Sequence, residues 1–376
     1  MPDTPSALAF DDGDVVLLVG TTKGAFLLRS DASRRRWRAE GPHFPGNEVY
    51  GLALDQRAGR RTLWAAPGNP FFGTTLRKSD DGGGSWSPGE ERPVAFPEGS
   101  DLSLKRVWQI RPGPADDPDR LFLGVEPSCV FESSDDGDTW APVRGFLEHE
   151  HRESWTPGAG GMCLHTILQD PTDPARMVVA ISTGGVYRTE DAGETWRARN
   201  RGVRAEFLPD KHPEFGQCVH KVVHHPGRPE RLFLQNHWGL YRSDDWGDEW
   251  IDIANGVPSD FGFGMAMHRS DTDTVYIVPM ESDQFRCCPE AKLRVYRTRD
   301  AGESWEPLSE GLPQEDAYET VLRDALETDA ADPAGVYFGT RSGRLYGSSD
   351  EGDSWGLIRE GLPPVVCVKA AVIGGS

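Results

Sequence analysis

The chain has 376 residues, a formal net charge of −20 and a pI near 4.9. That balance excludes a nucleic-acid groove or an anionic membrane as the main partner, since both demand clustered lysine and arginine. With 43 glycines, 29 prolines and 10% aromatics, and no segment with apolar residues at helical spacing, the class is all-β. No stretch approaches the roughly 20 apolar residues of a membrane span, and Met1 to Asp14 lacks the apolar run of a secretory signal. Six cysteines without framework spacing read as free thiols in a reducing compartment. The expectation is a cytoplasmic protein.

In chain order, the first predicted elements are three strands ending in a worn hairpin, Ser30 to Trp37. A sharper form of that hairpin then recurs: Ser/Thr, any residue, Asp, any residue, Gly, two residues, Trp. It stands at Ser79-Asp81-Gly83-Trp86, Ser133-Asp135-Gly137-Trp140 and Thr189-Asp191-Gly193-Trp196. It returns at Ser243-Asp245-Gly247-Trp250, Thr298-Asp300-Gly302-Trp305 and Ser348-Asp350-Gly352-Trp355. Each residue type has a physical task. The Asp accepts from turn N–H groups, the Gly supplies positive φ, and the Trp buries a large face while its N–H seeks a carbonyl. An apolar strand and a hairpin strand precede each copy, as in Leu232-Phe233-Leu234 and Leu240-Tyr241-Arg242, so the unit is four short antiparallel strands, A to D. Such units close radially as propeller blades.

Seven A strands are predicted: Val49–Asp55, Arg106–Pro112, Cys163–Gln169, Cys218–His224, Gly262–His268, Ala317–Arg323 and Val365–Ala371. The last follows six complete units, while the chain begins with strands B to D. Residues 1–376 therefore form a single seven-bladed β-propeller of four-stranded blades, with the C-terminal strand joining the first blade and removing its exposed edge. Blade six carries an insertion at about 280–292 that contains Cys287-Cys288, read as exposed loop thiols. His224-His225 and Arg34-Arg35-Arg36 read as solvated edges.

The hairpins resemble those of the Asp-box (BNR) repeat superfamily, which includes sialidases, sortilin-type receptors, xyloglucanases and photosystem II assembly factors. The resemblance covers nearly the whole chain. It implies a propeller whose boxes lie on the outer lower edge, away from any active site, and are structural. Against a sialidase stand the missing Phe-Arg-Ile-Pro segment, seven blades where sialidases have six, and two arginines, Arg106 and Arg341, where a triad around the substrate carboxylate is needed.

In a propeller the D–A and B–C loops share the face over the channel that usually carries function. Aligning the A strands puts Gly51, Trp108, His165, His220, Gly264, Glu319 and Cys367 at one position near the upper end. Cys163 and Cys218 stand two residues before the histidines, on the same side of the strand. The B–C loops add His237, Glu126 and Glu281, and the D–A loops add Glu148, His149, Glu150, His151 and His212. His43 falls on the same face. A strand centre ordinarily prefers Val or Ile, so the aligned histidines and glutamate suggest a site.

Its sharpest reading is one divalent metal ion (zinc, manganese, iron or nickel) held by His165, His220 and His237, with Glu319 or Glu126 completing or adjoining the shell. The alternatives are a metal-free pocket for a small molecule and histidines that only hydrogen-bond in a polar channel. Trp108, Arg106 and Arg341 are the expected ligand contacts. Three functions stay open: an enzyme over the channel using His and Glu319 for metal or acid–base chemistry, a protein-interaction or assembly scaffold, and a sialidase-like glycoside hydrolase using Glu126 and Glu319. A small-molecule ligand is the expected partner, with a protein partner as the scaffold alternative.

Overall fold

The computed structural model describes residues 8–374. The repeat becomes seven antiparallel sheets arranged in sequence around a channel. Blade one pairs Val15–Thr21, Gly24–Ser30 and Arg38–His43 with the C-terminal strand Val365–Val372. Val15–Thr21 lies at the centre of that sheet, between Gly24–Ser30 and the closing strand. Every residue of Val15–Thr21 is buried, so closure seals an apolar strand. In blade two the C strand is split into Gly73–Thr74 and Arg77–Ser79, both paired with Thr62–Asn69.

The hairpin motif does what its residue types require. In blade four Thr189 Oγ1 donates to Asp191 Oδ1 at 2.7 Å and accepts from Gly193 N–H at 2.9 Å, while Asp191 Oδ1 accepts Thr195 N–H at 2.9 Å. The indole N–H finds a carbonyl, sometimes in the preceding blade: Trp250 reaches Arg199 at 2.9 Å and Trp305 reaches Ile253 at 2.8 Å. Positive φ extends to the residue before each glycine, with Asp136, Ala192, Trp246, Ala301 and Glu351 at 56–61°. The worn first copy is clamped rather than solvated. Arg34 is a buried side chain that donates to Pro333 O and Ser349 O of blade seven and faces Asp329; Arg35 and Arg36 are exposed.

Six inner strands share an irregularity near their upper ends. One extra residue is inserted where the ladder shifts register: Val366, Tyr50, Trp108, His165 and His220 in blades one to five, counting blade two from Glu48, and the Phe263-Gly264 pair in blade six. A bulge re-aims a side chain that the regular pleat would bury between sheets. The sequence alignment placed Gly51 and Cys367 at this level; the bulged residues are their neighbours Tyr50 and Val366.

Blade seven departs further. Its inner strand is Leu326–Thr328, not Ala317–Arg323. The A–B turn fixes the register: Asp329 N–H bonds Gly335 O and its carboxylate accepts Gly335 N–H, which sets Thr328 opposite Val336. Residues 317–323 instead run in as irregular chain, and Asp324 bridges to Cys367 of the closing strand. Glu319 is therefore not at the ring position that its alternating neighbours suggested.

Candidate functional site

The bulged residues and the incoming segment of blade seven meet at the upper mouth. Trp108 is 6% exposed and acts as a hub. Its indole N–H donates to Glu126 Oε2 at 3.1 Å, its ring lies 4.5 Å from that of Tyr50, and the guanidiniums of Arg106 and Arg323 each sit 5.1 Å from it. Its faces are thus taken by protein, so Trp108 positions neighbours rather than offering a bare stacking surface. Arg106 also bonds Glu48 at 2.8 Å and Glu126 at 3.3 Å, and covers Tyr50 at 4.7 Å. Gly161, at φ +88°, lets the loop before blade four lie on the Glu126 carboxylate where a Cβ would collide.

Arg323 is the residue that sequence reading missed. It is 8% exposed, and its Nη1 donates to Cys163 Sγ and Ser182 Oγ, both at 3.1 Å. Among the described residues no carboxylate lies within ion-pair distance of it. The adjacent Asp324 is committed elsewhere, at 2.6 Å from Lys221 and 3.4 Å from Lys369; burial raises its pKa, and the two lysines overcome that and hold it well below the usual range. A charged Arg-Asp pair between Leu322 and Ala325 was the available signal. Burial and Glu48 push the Tyr50 phenol up, while Arg106, Arg341 and Arg323 pull it down. Arg341, expected at the mouth, projects from the B–C turn of blade seven and is exposed.

The expected metal ligands divide. His165 is 0% exposed and both ring nitrogens are occupied: Nε2 donates to Val219 O at 2.9 Å and Nδ1 accepts from Thr166 Oγ1 at 3.0 Å. A carbonyl can only accept, which fixes the tautomer, and burial keeps the ring neutral. His165 joins blade four to blade five and has no lone pair left for an ion. His220 and His237 do come together, and the third partner is Cys218. One donor atom of each lies within 4.8 Å of the others. His220 Nδ1 donates to Gly262 O at 2.6 Å, while its Nε2 faces Cys218 Sγ at 3.6 Å. Burial lowers both imidazoles, His220 well below its usual range, and pushes the Cys218 thiol up to about 11.

The two glutamates proposed as a hydrolytic pair serve different arginines. Glu126 holds Arg106 and Trp108, whereas Glu319 accepts from Ser342 at 2.5 Å and Arg344 at 2.8 Å, within its own corner of blade seven. Glu281, in the blade-six insertion, is held by its backbone: its N–H bonds Cys287 O and its carbonyl accepts from Ser259 Oγ. Cys287 and Cys288 are buried rather than exposed, at 5% and 2%, because the insertion folds inward and Cys288 donates to Glu319 O. His149 and His151 pack against Tyr187 and Phe215 inside the D–A loop. His43 is buried and accepts the Trp86 indole N–H at Nδ1 at 3.3 Å, and among the described histidines only His212 is exposed.

Below the bulges the channel widens into a cavity of about 490 Å³ lined by Gln109, Lys221, His224, Arg269, Glu327 and Lys369. His224 is therefore not a solvated edge. It is 8% exposed, and burial, with Arg111 close by, lowers it to about 4.

No protein-family model matches the chain. An oligoxyloglucan-reducing end-specific xyloglucanase of Emericella nidulans is 30% identical over 222 residues, which is 51% of this chain and 26% of that enzyme. The chain thus spans about a quarter of the length of the curated relatives it matches. Among solved structures, the GH74 enzyme of Niastella koreensis is similar with a TM-score of 0.60 at 16% identity, covering 99% of this chain and 56% of that one. YCF48 from Cyanidioschyzon merolae is similar with a TM-score of 0.51 at 14% identity, covering 83% of this chain and 84% of that one. One of these neighbours bears an enzyme's name and the other does not, so what they share with this chain is architecture. The chain is a seven-bladed β-propeller with structural neighbours among the GH74 and YCF48 propellers.

Proposed function

We propose that the upper mouth binds a small acidic molecule, with an acidic sugar as the class that fits best. The observation that carries this is Arg323: a guanidinium more than nine-tenths buried, facing the mouth with a thiol and a hydroxyl as its partners. Burying a cation without a counter-charge is costly, and a ligand carboxylate would supply the missing charge through a bidentate contact. Arg106 shares the Trp108 ring with it, and Glu48 and Glu126 offer acceptors to sugar hydroxyls. The partial sequence similarity to an enzyme named for a polysaccharide supports a sugar without specifying an acidic one.

Calorimetric titration with a uronic acid, a sialic acid and their neutral counterparts tests the reading. An acidic sugar should bind at least roughly tenfold tighter than its neutral counterpart, and Arg323→Met should abolish the difference while the fold persists. Equal binding of neutral and acidic sugars, or indifference to Arg323→Met, would remove it.

A second reading rests on a different observation. Phe71 and Phe72 are each 88% exposed, and Phe207, Phe285 and Tyr318 are 48%, 55% and 63% exposed; all five stand on B–C or D–A connections of the same face. A rim of exposed aromatics is what a docking surface presents. It favours a larger partner seated over the mouth, which fits the scaffold alternative.

A further inference from the structure

We propose that Cys218, His220 and His237 form a binding site for one zinc ion, on the blade-five side of the mouth. The site is independent of the acidic-ligand reading. Cys218 and His220 stand at i and i+2 where the inner strand of blade five begins, and the bulge at His220 turns its ring toward the thiol. His237 comes from the B–C turn of the same blade, and its backbone N–H bonds Cys218 O at 3.0 Å. Two ligands and the turn carrying the third are therefore held by one short ladder.

The donors are already close to ligating positions. Around zinc, with bonds of about 2.0–2.3 Å, tetrahedral ligand atoms stand roughly 3.3–3.8 Å apart. Cys218 Sγ and His220 Nε2 are 3.6 Å apart, and all three donors fall within 4.8 Å. For His220 the outer contact matches that of a metal-bound imidazole. His220 gives its other N–H to Gly262 O at 2.6 Å, and the Asp283 carboxylate lies 3.5 Å from His237 Nε2. Phe261 and Phe263 pack on these rings, with centroids 4.4–5.5 Å away, and form a dry wall behind the site. Cys218 and His237 are partly exposed on the other side, which leaves a fourth position open toward the mouth for water or a ligand.

One soft sulfur and two imidazole nitrogens suit zinc better than magnesium or calcium, which prefer all-oxygen shells. On binding, zinc replaces the thiol proton of Cys218, which leaves to solvent; no electron is transferred.

The test uses the full chain, purified under reducing conditions, stripped with a chelator and titrated with zinc against a chromophoric competitor. The expected result is one equivalent bound, with affinity lowered at least roughly tenfold by Cys218→Ser and by His237→Gln. Cobalt substitution of the unmutated protein gives a readout that needs no variant: a thiolate-to-cobalt charge-transfer band with tetrahedral d–d intensity. Failure to bind zinc, binding that both variants leave unchanged, or bound cobalt without a thiolate band would each overturn the proposal.

Discussion

His224 shows how position on the ring sets a residue's chemistry. In the unfolded chain it gains a proton below about 6.5, whereas the folded protein resists protonation until about 4. Between those values the unfolded state binds more protons, so stability falls as pH drops through that window and is fully present above it. The full shift corresponds to about 3 kcal/mol. Arg111 and His225 add to the depression and Asp170 opposes it. Urea unfolding from pH 4 to 7 should therefore give a flatter profile for His224→Gln than for the unmutated protein, and parallel profiles would exclude this account. Neighbouring histidines on one strand thus diverge: His224 is held neutral in the cavity wall, while His220 has one nitrogen anchored and the other directed at a thiol.

At the scale of the strand, the channel is held by an ionic tie as well as by ladders. Asp324 is 2% exposed in its side chain, and it joins Lys221 of blade five and Lys369 of the closing strand. Removing one member of a buried pair leaves charge uncompensated, at a cost of about 3–5 kcal/mol, while replacing the whole set by apolar residues is often neutral. Asp324→Asn should lower the melting temperature sharply, and Asp324→Leu with Lys221→Met and Lys369→Met should recover much of the loss. If the single and triple variants melt together, the tie contributes nothing. The hairpins, their period and the closing strand were legible in the sequence because each rests on local residue types at fixed spacing. The inner-strand register was not. A bulge advances the facing pattern by one residue, which moved Gly51 to Tyr50 and Cys367 to Val366, and the turn at Asp329 shifted blade seven away from Glu319. Cys218 was noticed as one half of Cys-x-His but not placed in a ligand set, because its approach to His237 depends on a hydrogen bond across the blade.

For the whole molecule, the total of −20 conceals an opposite interior. Arg106 and Arg323 meet on the Trp108 ring at the upper mouth, while Arg111, Arg269, Lys221 and Lys369 line the cavity below. Composition excludes a broad basic surface, but it does not report on a basic channel ringed by seven blades. Closure has its own test. Val365–Val372 covers the edge of Val15–Thr21 through a seven-residue ladder, so deleting residues 365–376 should expose an apolar edge and replace cooperative unfolding with aggregation. A truncated chain that stays monomeric by light scattering and melts at the original temperature would contradict this.

The bulges have a consequence for how this ring can change. A residue inserted between two ladder pairs has no opposite number, so its side chain can be exchanged without disturbing the hydrogen bonds on either side. Val366, Tyr50, Trp108, His165, His220 and Phe263 then read like six letters on a dial. A scaffold built this way can be reworded one letter at a time wherever the letter carries no bond of its own, whereas His165 and His220 each tie their blade to the next through a ring N–H.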